Sequence, residues 1–137
     1  MTVLLDTNII LDALQERQPF DVSAKDILER AQNREITCMF TANAATDIFY
    51  LYSRTRDMKS AKIALGFFLE HYSVVSVTHD DCMNAMSLSM EDFEDALVSV
   101  CALKANADYI ITRDERFLKA DSPVKRIAPN GFVDMLK

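Results

Sequence analysis

The stretches Val3-Leu4-Leu5-Asp6-Thr7-Asn8 and Tyr109-Ile110-Ile111-Thr112-Arg113-Asp114 share one pattern, a short apolar run that ends near an aspartate. An apolar run without alternation is typical of a strand that is buried on both faces of a parallel sheet. In open α/β sheets, ligands bind at the carboxyl edge of the strands. The two runs therefore predict that Asp6 and Asp114 lie together at the ligand-binding edge of one sheet.

Strand-like and helix-like segments alternate along the rest of the chain. The pattern predicts further strands at residues 36–40 and 73–77, and helices at 8–14, 21–30, after Thr41, and at 60–71, 81–88 and 92–104. Asp21 and Thr41 are predicted N-caps, Asn106 suits the left-handed position after a helix, and Pro129 suits the first position of a last helix. The alternation predicts an α/β fold with a parallel sheet covered by helices on both faces.

Length and composition limit the classes of protein that the chain can belong to. A chain of 137 residues with 50% hydrophobic residues is expected to form a single domain, residues 1–137, with a real core. No basic segment precedes the first apolar run, and no apolar stretch is long enough to span a bilayer, so neither a signal peptide nor a membrane protein is expected. The odd number of cysteines (Cys38, Cys82 and Cys101) predicts buried free thiols in a cytoplasmic protein.

Two helix-borne aspartates, Asp47 and Asp95, join Asp6 and Asp114 as candidate site residues. Each has an ordinary alternative: Asp6 can cap a helix, Asp114 can belong to a turn, and Asp47 can simply be exposed. Asp95 lies beside an apolar helical stripe, with Asp92 on the same face. Carboxylates that crowd together repel one another unless cations neutralise them, and an all-oxygen site suits Mg²⁺ or Mn²⁺.

Taken together, Leu4-Leu5-Asp6-Thr7-Asn8, Asp95-Ala96-Leu97 followed by Ala102, and Ile110-Ile111-Thr112-Arg113-Asp114 resemble the PIN-domain nucleases, which include VapC-like toxins. The resemblance implies a three-layer sandwich with about four to five strands and four clustered acids. The acids correspond to Asp6, Asp47, Asp95 and Asp114, of which Asp6, Asp95 and Asp114 would hold Mg²⁺ or Mn²⁺. Asn8 and Thr112 match supporting polar positions. Many members carry glutamate where this chain has Asp47, and Asp92 is an additional acid that can join the site.

The same resemblance implies a metal-dependent ribonuclease, the toxin of a toxin–antitoxin pair, with RNA as substrate, an antitoxin as a partner and a homodimeric state. The methionines Met83, Met86 and Met90 are candidates for the core or for a subunit interface. The cations that follow the Asp47 helix can contact RNA or simply be solvated, and they are Arg54, Arg56, Lys59 and Lys62.

Two other functions stay open at the level of sequence. The chain can be a PIN-like binding module with little or no catalysis. It can also be a phosphatase of the haloacid dehalogenase type, whose first strand likewise ends in aspartate. Such phosphatases need a second acid two residues further on, where this chain has Asn8.

Overall fold

The computed structural model describes all 137 residues, and at its centre lies a five-stranded parallel sheet. The strands are β1 (Thr2–Leu5), β2 (Thr37–Thr41), β3 (Ser73–Val75), β4 (Tyr109–Ile111) and β5 (Arg126–Ile127), in the spatial order β3-β2-β1-β4-β5. The first apolar run thus occupies the middle of the sheet and the last one lies next to it. The predicted parallel α/β architecture is confirmed.

Eight helices connect and flank the strands. They are α1 (Thr7–Leu14), α2 (Asp21–Gln32), α3 (Ala42–Thr55), α4 (Met58–His71), α5 (His79–Ser87), α6 (Phe93–Lys104), α7 (Glu115–Lys119) and α8 (Pro129–Leu136). Pro129 begins α8, and Asn106, directly after the end of α6, has φ 56°. Both residues take the positions that the sequence predicted for them.

Each face of the sheet has its own apolar core. Val3 and Leu5 of β1 contribute to a core that also holds Ile27 and Phe132, whereas Leu4 contributes to a second core that holds Leu97 of α6. Successive side chains of a strand point to opposite faces, so the uninterrupted apolar run of β1 is what two helical layers require. This arrangement fixes the carboxyl end of β1, and therefore Asp6, between the two layers.

Two short elements, α7 and β5, were not predicted. Their positions depend on Arg126, whose guanidinium donates hydrogen bonds to the carbonyls of Phe117, Leu118 and Ala120 at the end of α7. The predicted N-cap at Asp21 is wrong, because Phe20 occupies the cap position and Asp21 is the first residue of α2. Thr41 does occupy the cap position of α3, but its side chain makes no capping hydrogen bond.

The cysteines and the helices bear on two further predictions. All three cysteines are free thiols, although Cys82 is half-buried rather than buried. Not one of the helices combines the length and the apolar character that crossing a membrane requires.

Candidate active site

A cleft of about 290 Å³ opens at the carboxyl edge of β1 and β4. Acidic side chains dominate its lining, and they come from four separate parts of the chain: Asp6, Asp47, Asp92, Glu94, Asp95 and Asp114. We refer to this cleft, defined by these six carboxylates, as the acid cleft. It brings together all four predicted acids, and Asn8 also lines it. Their catalytic and metal-binding roles remain predictions.

The strand ends β1 and β4 are joined at the acid cleft by Thr112. The buried Thr112 hydroxyl donates a hydrogen bond to Asp6 Oδ2 (2.7 Å) and accepts one from the backbone N–H of Asp114 (3.1 Å). Asp6 occupies the N-cap position of α1 but makes no side-chain capping hydrogen bond, so capping does not explain its presence. Asp114 does cap α7, since its Oδ1 accepts from the N–H of Arg116 (2.9 Å), and it faces the acid cleft as well.

The first turn of α6 supplies three of the six carboxylates. Asp92 caps the helix by accepting a hydrogen bond from the N–H of Asp95 (3.0 Å), and Glu94 and Asp95 follow in that turn. Glu94 was not predicted as a site residue, because acids in a first helical turn are ordinarily explained by the helix dipole. The sequence did contain a signal that could have identified Glu94. Asp92, Glu94 and Asp95 all lie at the start of one predicted helix, so all three lie at the same edge of the sheet.

Asp47 enters the acid cleft from α3 and is solvent-exposed. Exposure alone does not account for it, because its charge raises the pKa of Glu94 across the cleft. Asn8, in the first turn of α1, is half-buried beside these acids. Asp47 and Asn8 therefore line the side of the cleft formed by α3 and α1.

Burial and mutual repulsion raise the pKa of three carboxyl groups in the acid cleft. For Asp95 the pKa rises to about 7, first because burial disfavours the charge and then because Asp92, Asp6, Asp114 and Glu94 repel it. Burial is also the main reason that the pKa values of Asp6 and Glu94 are raised. In Asp6 the hydrogen bond from Thr112 opposes this effect. The acids therefore carry more negative charge than their surroundings compensate.

An ion pair between a half-buried arginine and a buried carboxylate fixes the segment that carries Thr112 and Asp114. Asp12 of α1, whose side chain is 1% exposed, accepts two hydrogen bonds from Arg113, at 2.7 Å from Nε and 3.0 Å from Nη2. Arg113 also lies over the ring of Phe20, with Cζ 4.0 Å from the centroid. Bidentate arginine–carboxylate pairs have a defined geometry. The pair thus ties α1, which follows Asp6, to the residue between Thr112 and Asp114.

The acid cleft fits a divalent cation in donor chemistry and in charge. Its donors are carboxylate oxygens, which Mg²⁺ and Mn²⁺ prefer, and a cation would relieve the repulsion that raises the pKa of Asp95. No group of three acidic, histidine or cysteine side chains has the spacing that would close on one ion. Mg²⁺ usually keeps several waters and is bound through one or two carboxylates, so a site for it does not require three carboxylates in direct contact with the ion.

A comparison with known protein families gives a match that spans most of the chain. The family model described as "PIN domain" matches residues 2–116. No curated protein sequence matches the chain significantly.

Several solved structures share the fold at low sequence identity. VapBC2 from Rickettsia felis, bound to a DNA fragment from its promoter, gives a TM-score of 0.68 at 19% identity and covers 93% of this chain and 98% of that one. VapC20 of Mycobacterium tuberculosis, a toxin that cleaves the sarcin–ricin loop, gives 0.69 at 17% identity and covers 88% and 95%. The protein PAE2754 from Pyrobaculum aerophilum gives 0.62 at 16% identity and covers 99% and 89%. At these identities the similarity concerns the fold alone.

Proposed function

Because this chain belongs to the PIN-domain family, we propose that it is a metal-dependent endoribonuclease that acts as the toxin of a toxin–antitoxin pair in the cytoplasm. The observation that carries the proposal is the convergence of six carboxylates from four parts of the chain in one cleft. The proposal is further supported by VapC20, a toxin of the same fold that cleaves an RNA loop. The phosphatase alternative is not favoured, because Asn8 stands where its second acid would be.

In the proposed mechanism, Asp6, Asp95 and Asp114 would hold Mg²⁺ or Mn²⁺, one or two of them directly and the rest through waters that the ion keeps. When bound, such an ion lowers the pKa of a coordinated water and neutralises charge on the phosphate. Thr112 fixes Asp6 by donating to Oδ2, and it fixes the backbone of Asp114 by accepting from its N–H. These two hydrogen bonds fix the two strand-end acids relative to each other.

The attacking water would be oriented from the α3 side of the acid cleft. Asp47 is the predicted residue for this role, and its carboxylate is one methylene shorter than the glutamate that many family members carry. Glu94 lies in the same cleft and is coupled to Asp47 through charge repulsion. We assign Glu94 a share of this role, because its longer side chain can supply the reach that Asp47 lacks.

Two protein partners belong to the proposal. A protein antitoxin is supported by solved VapBC assemblies of the same fold, among them VapBC-1 from nontypeable Haemophilus influenzae. A homodimer is supported by Met83 and Met86, which are 58% and 71% exposed on α5. Met90, the third methionine proposed for this interface, instead packs half-buried against the second core.

The test is cleavage of a labelled single-stranded RNA by the purified protein with Mn²⁺. We expect the wild type to cleave internally and Asp6→Asn to lose nearly all of this activity, because Asp6 sits at the central strand end. Asp47→Asn should lose less if Glu94 contributes to orienting the water. Asp134→Asn, which removes an exposed carboxylate of α8 outside the acid cleft, is the matched control and should cleave normally.

Two outcomes would contradict the proposal. Undiminished cleavage by the wild type in excess chelator would exclude a metal-dependent reaction. RNA binding without any cleavage, at saturating Mn²⁺ and across several RNA sequences, would instead support the PIN-like binding module.

A further inference from the structure

Cations without carboxylate partners are concentrated where α3 ends and α4 begins. Between residues 54 and 62 the sequence holds four cations and a single carboxylate, in a chain whose net charge is −6. None of the four cations, which are Arg54, Arg56, Lys59 and Lys62, has a carboxylate oxygen within 4.0 Å. The carboxylate of Asp57 is engaged instead in capping α4 through Ser60. This junction therefore offers unneutralised positive charge.

Two of these cations lie against tyrosine rings. Tyr50 is 58% exposed, and Arg54 lies over its ring with Cζ 5.5 Å from the centroid while Nη1 donates to the tyrosine hydroxyl at 3.3 Å. Arg56 lies 5.9 Å from the ring centroid of the half-buried Tyr52. An exposed ring with an attached cation can stack on a nucleobase and attract the neighbouring phosphate.

The surface is continuous with the acid cleft. Asp47 and Leu51 of α3 line the cleft. Tyr50 and Arg54 follow Asp47 by three and seven residues, so they lie on the same face of the helix. At 1.5 Å per residue, Arg54 lies about 10 Å from Asp47 along the helix axis. A nucleic acid strand with one phosphate at the acids would therefore extend onto this face.

We infer that the face of α3 formed by Tyr50 and Arg54 binds the single-stranded RNA that flanks the scissile phosphate, and that Arg56, Lys59 and Lys62 at the adjoining helix end attract its backbone. This inference rests on the proposed ribonuclease function and assigns residues of this chain outside the acid cleft to the binding of its substrate. A base stacks on Tyr50, and the cations of the junction contact the backbone. The bound RNA must be unpaired, because a base has to leave its helical stack before it can stack on an aromatic side chain. An acidic protein partner would be attracted by the positive charges, but its binding would not require an exposed aromatic ring beside the acid cleft.

The experiment measures binding of a 5′-labelled oligouridine by fluorescence anisotropy in chelator, so that no cleavage occurs. Tyr50→Ala should weaken binding about 10-fold, the scale of one lost base stack, and Tyr50→Phe should stay close to wild type. The double variant Arg54→Gln/Arg56→Gln should weaken binding and reduce the slope of log affinity against log salt by about 1.4, since each single-strand phosphate contact contributes about 0.7.

The matched control is Arg34→Gln/Lys125→Gln. It removes two cations that also lack carboxylate partners but precede β2 and β5, at the opposite edge of the sheet. We expect the control to keep both the affinity and the salt slope. All variants should unfold at the same temperature as the wild type, because the substituted side chains are exposed.

The outcomes separate this inference from the proposed function. If the wild type cleaves RNA but the Tyr50 and arginine variants bind oligouridine as tightly as the control, the surface assignment is wrong and the ribonuclease stands. If the wild type neither binds nor cleaves RNA, both fail. Equal weakening of single-stranded and duplex RNA by Tyr50→Ala would overturn the assignment to unpaired RNA.

Discussion

Replacing Asp95 with asparagine should stabilise the metal-free protein while removing the proposed ribonuclease activity. The Asp95 carboxyl has its pKa raised from 3.8 to about 7 by burial and by the charges of Asp92, Asp6, Asp114 and Glu94, and no hydrogen bond opposes this effect. Asparagine keeps the shape of the side chain without its charge. The substitution therefore removes the repulsion between the Asp95 carboxylate and its acidic neighbours and loses no hydrogen bond of that carboxylate.

The magnitude follows from the shift in pKa. The rise of the Asp95 pKa from 3.8 to about 7 corresponds to roughly 4 kcal/mol, since a tenfold change in an equilibrium constant is about 1.36 kcal/mol. Asp95 is half-buried, so solvent screening reduces this value, and we expect a gain of about 1–2 kcal/mol in the free energy of unfolding at pH 8.

The pH dependence has a definite sign. Between pH 3.8 and about 7 the folded protein binds more protons at Asp95 than the unfolded chain does. The free energy of unfolding of the wild type therefore falls as pH rises through this window. The advantage of Asp95→Asn should be largest above pH 7 and should shrink to less than half at pH 5, where the native carboxyl is mostly protonated.

Urea unfolding in excess chelator at pH 5 and pH 8 measures this effect, with Asp134→Asn as the exposed control that should show no such difference. Addition of Mn²⁺ should reverse the order, because only the wild type keeps its full set of acids for the cation. A variant that is less stable than the wild type at pH 8 in chelator would refute the reasoning. It would mean that the surroundings of Asp95 favour the charge after all.

Two further predictions concern stability and assembly. Asp12→Ala should lower the free energy of unfolding by about 2–3 kcal/mol, because the half-buried guanidinium of Arg113 loses both hydrogen bonds to its carboxylate. Urea unfolding should show a smaller loss for the control Asp26→Ala, because its partner Arg30 keeps a second carboxylate, Glu35. A loss no larger than that of Asp26→Ala would contradict the ion-pair argument. Sedimentation at micromolar concentration should show a dimer that Met83→Asp/Met86→Asp converts to a monomer, and a strictly monomeric wild type would exclude the methionine interface.

The sequence was sufficient for the central part of the sheet and for the acids that follow it. The runs before Asp6 and Thr112 are apolar at every position, which only a strand covered on both faces requires, and parallel strands bring their carboxyl ends to one edge. The elements α7 and β5 were missed because they span five and two residues, too few to show a period. Arg126 places them through bonds to backbone carbonyls, which any sequence can provide.

The pairing of Asp12 with Arg113 could not be predicted from the sequence either. The two residues are 101 positions apart, and Asp12 lies in a helix whose neighbours Ile9, Ile10 and Leu11 are buried. A single charged residue in such a helix ordinarily lies on the face that is exposed to solvent. Here Asp12 is fully buried, and only the tertiary arrangement supplies the two hydrogen bonds that make its burial tolerable.

The first turn of α6 shows why the acids at the cleft are best explained by what they bind. Acids there gain about 0.3–1 kcal/mol each from the helix dipole, which would favour ionised Glu94 and Asp95. The pKa values of both are nevertheless raised, so burial and repulsion outweigh the dipole. A fold under selection for stability alone would not keep these carboxylates together, since neutral residues could cap the same helix. Their retention is the stability cost expected of a functional site, and a cation that removes the repulsion would recover it.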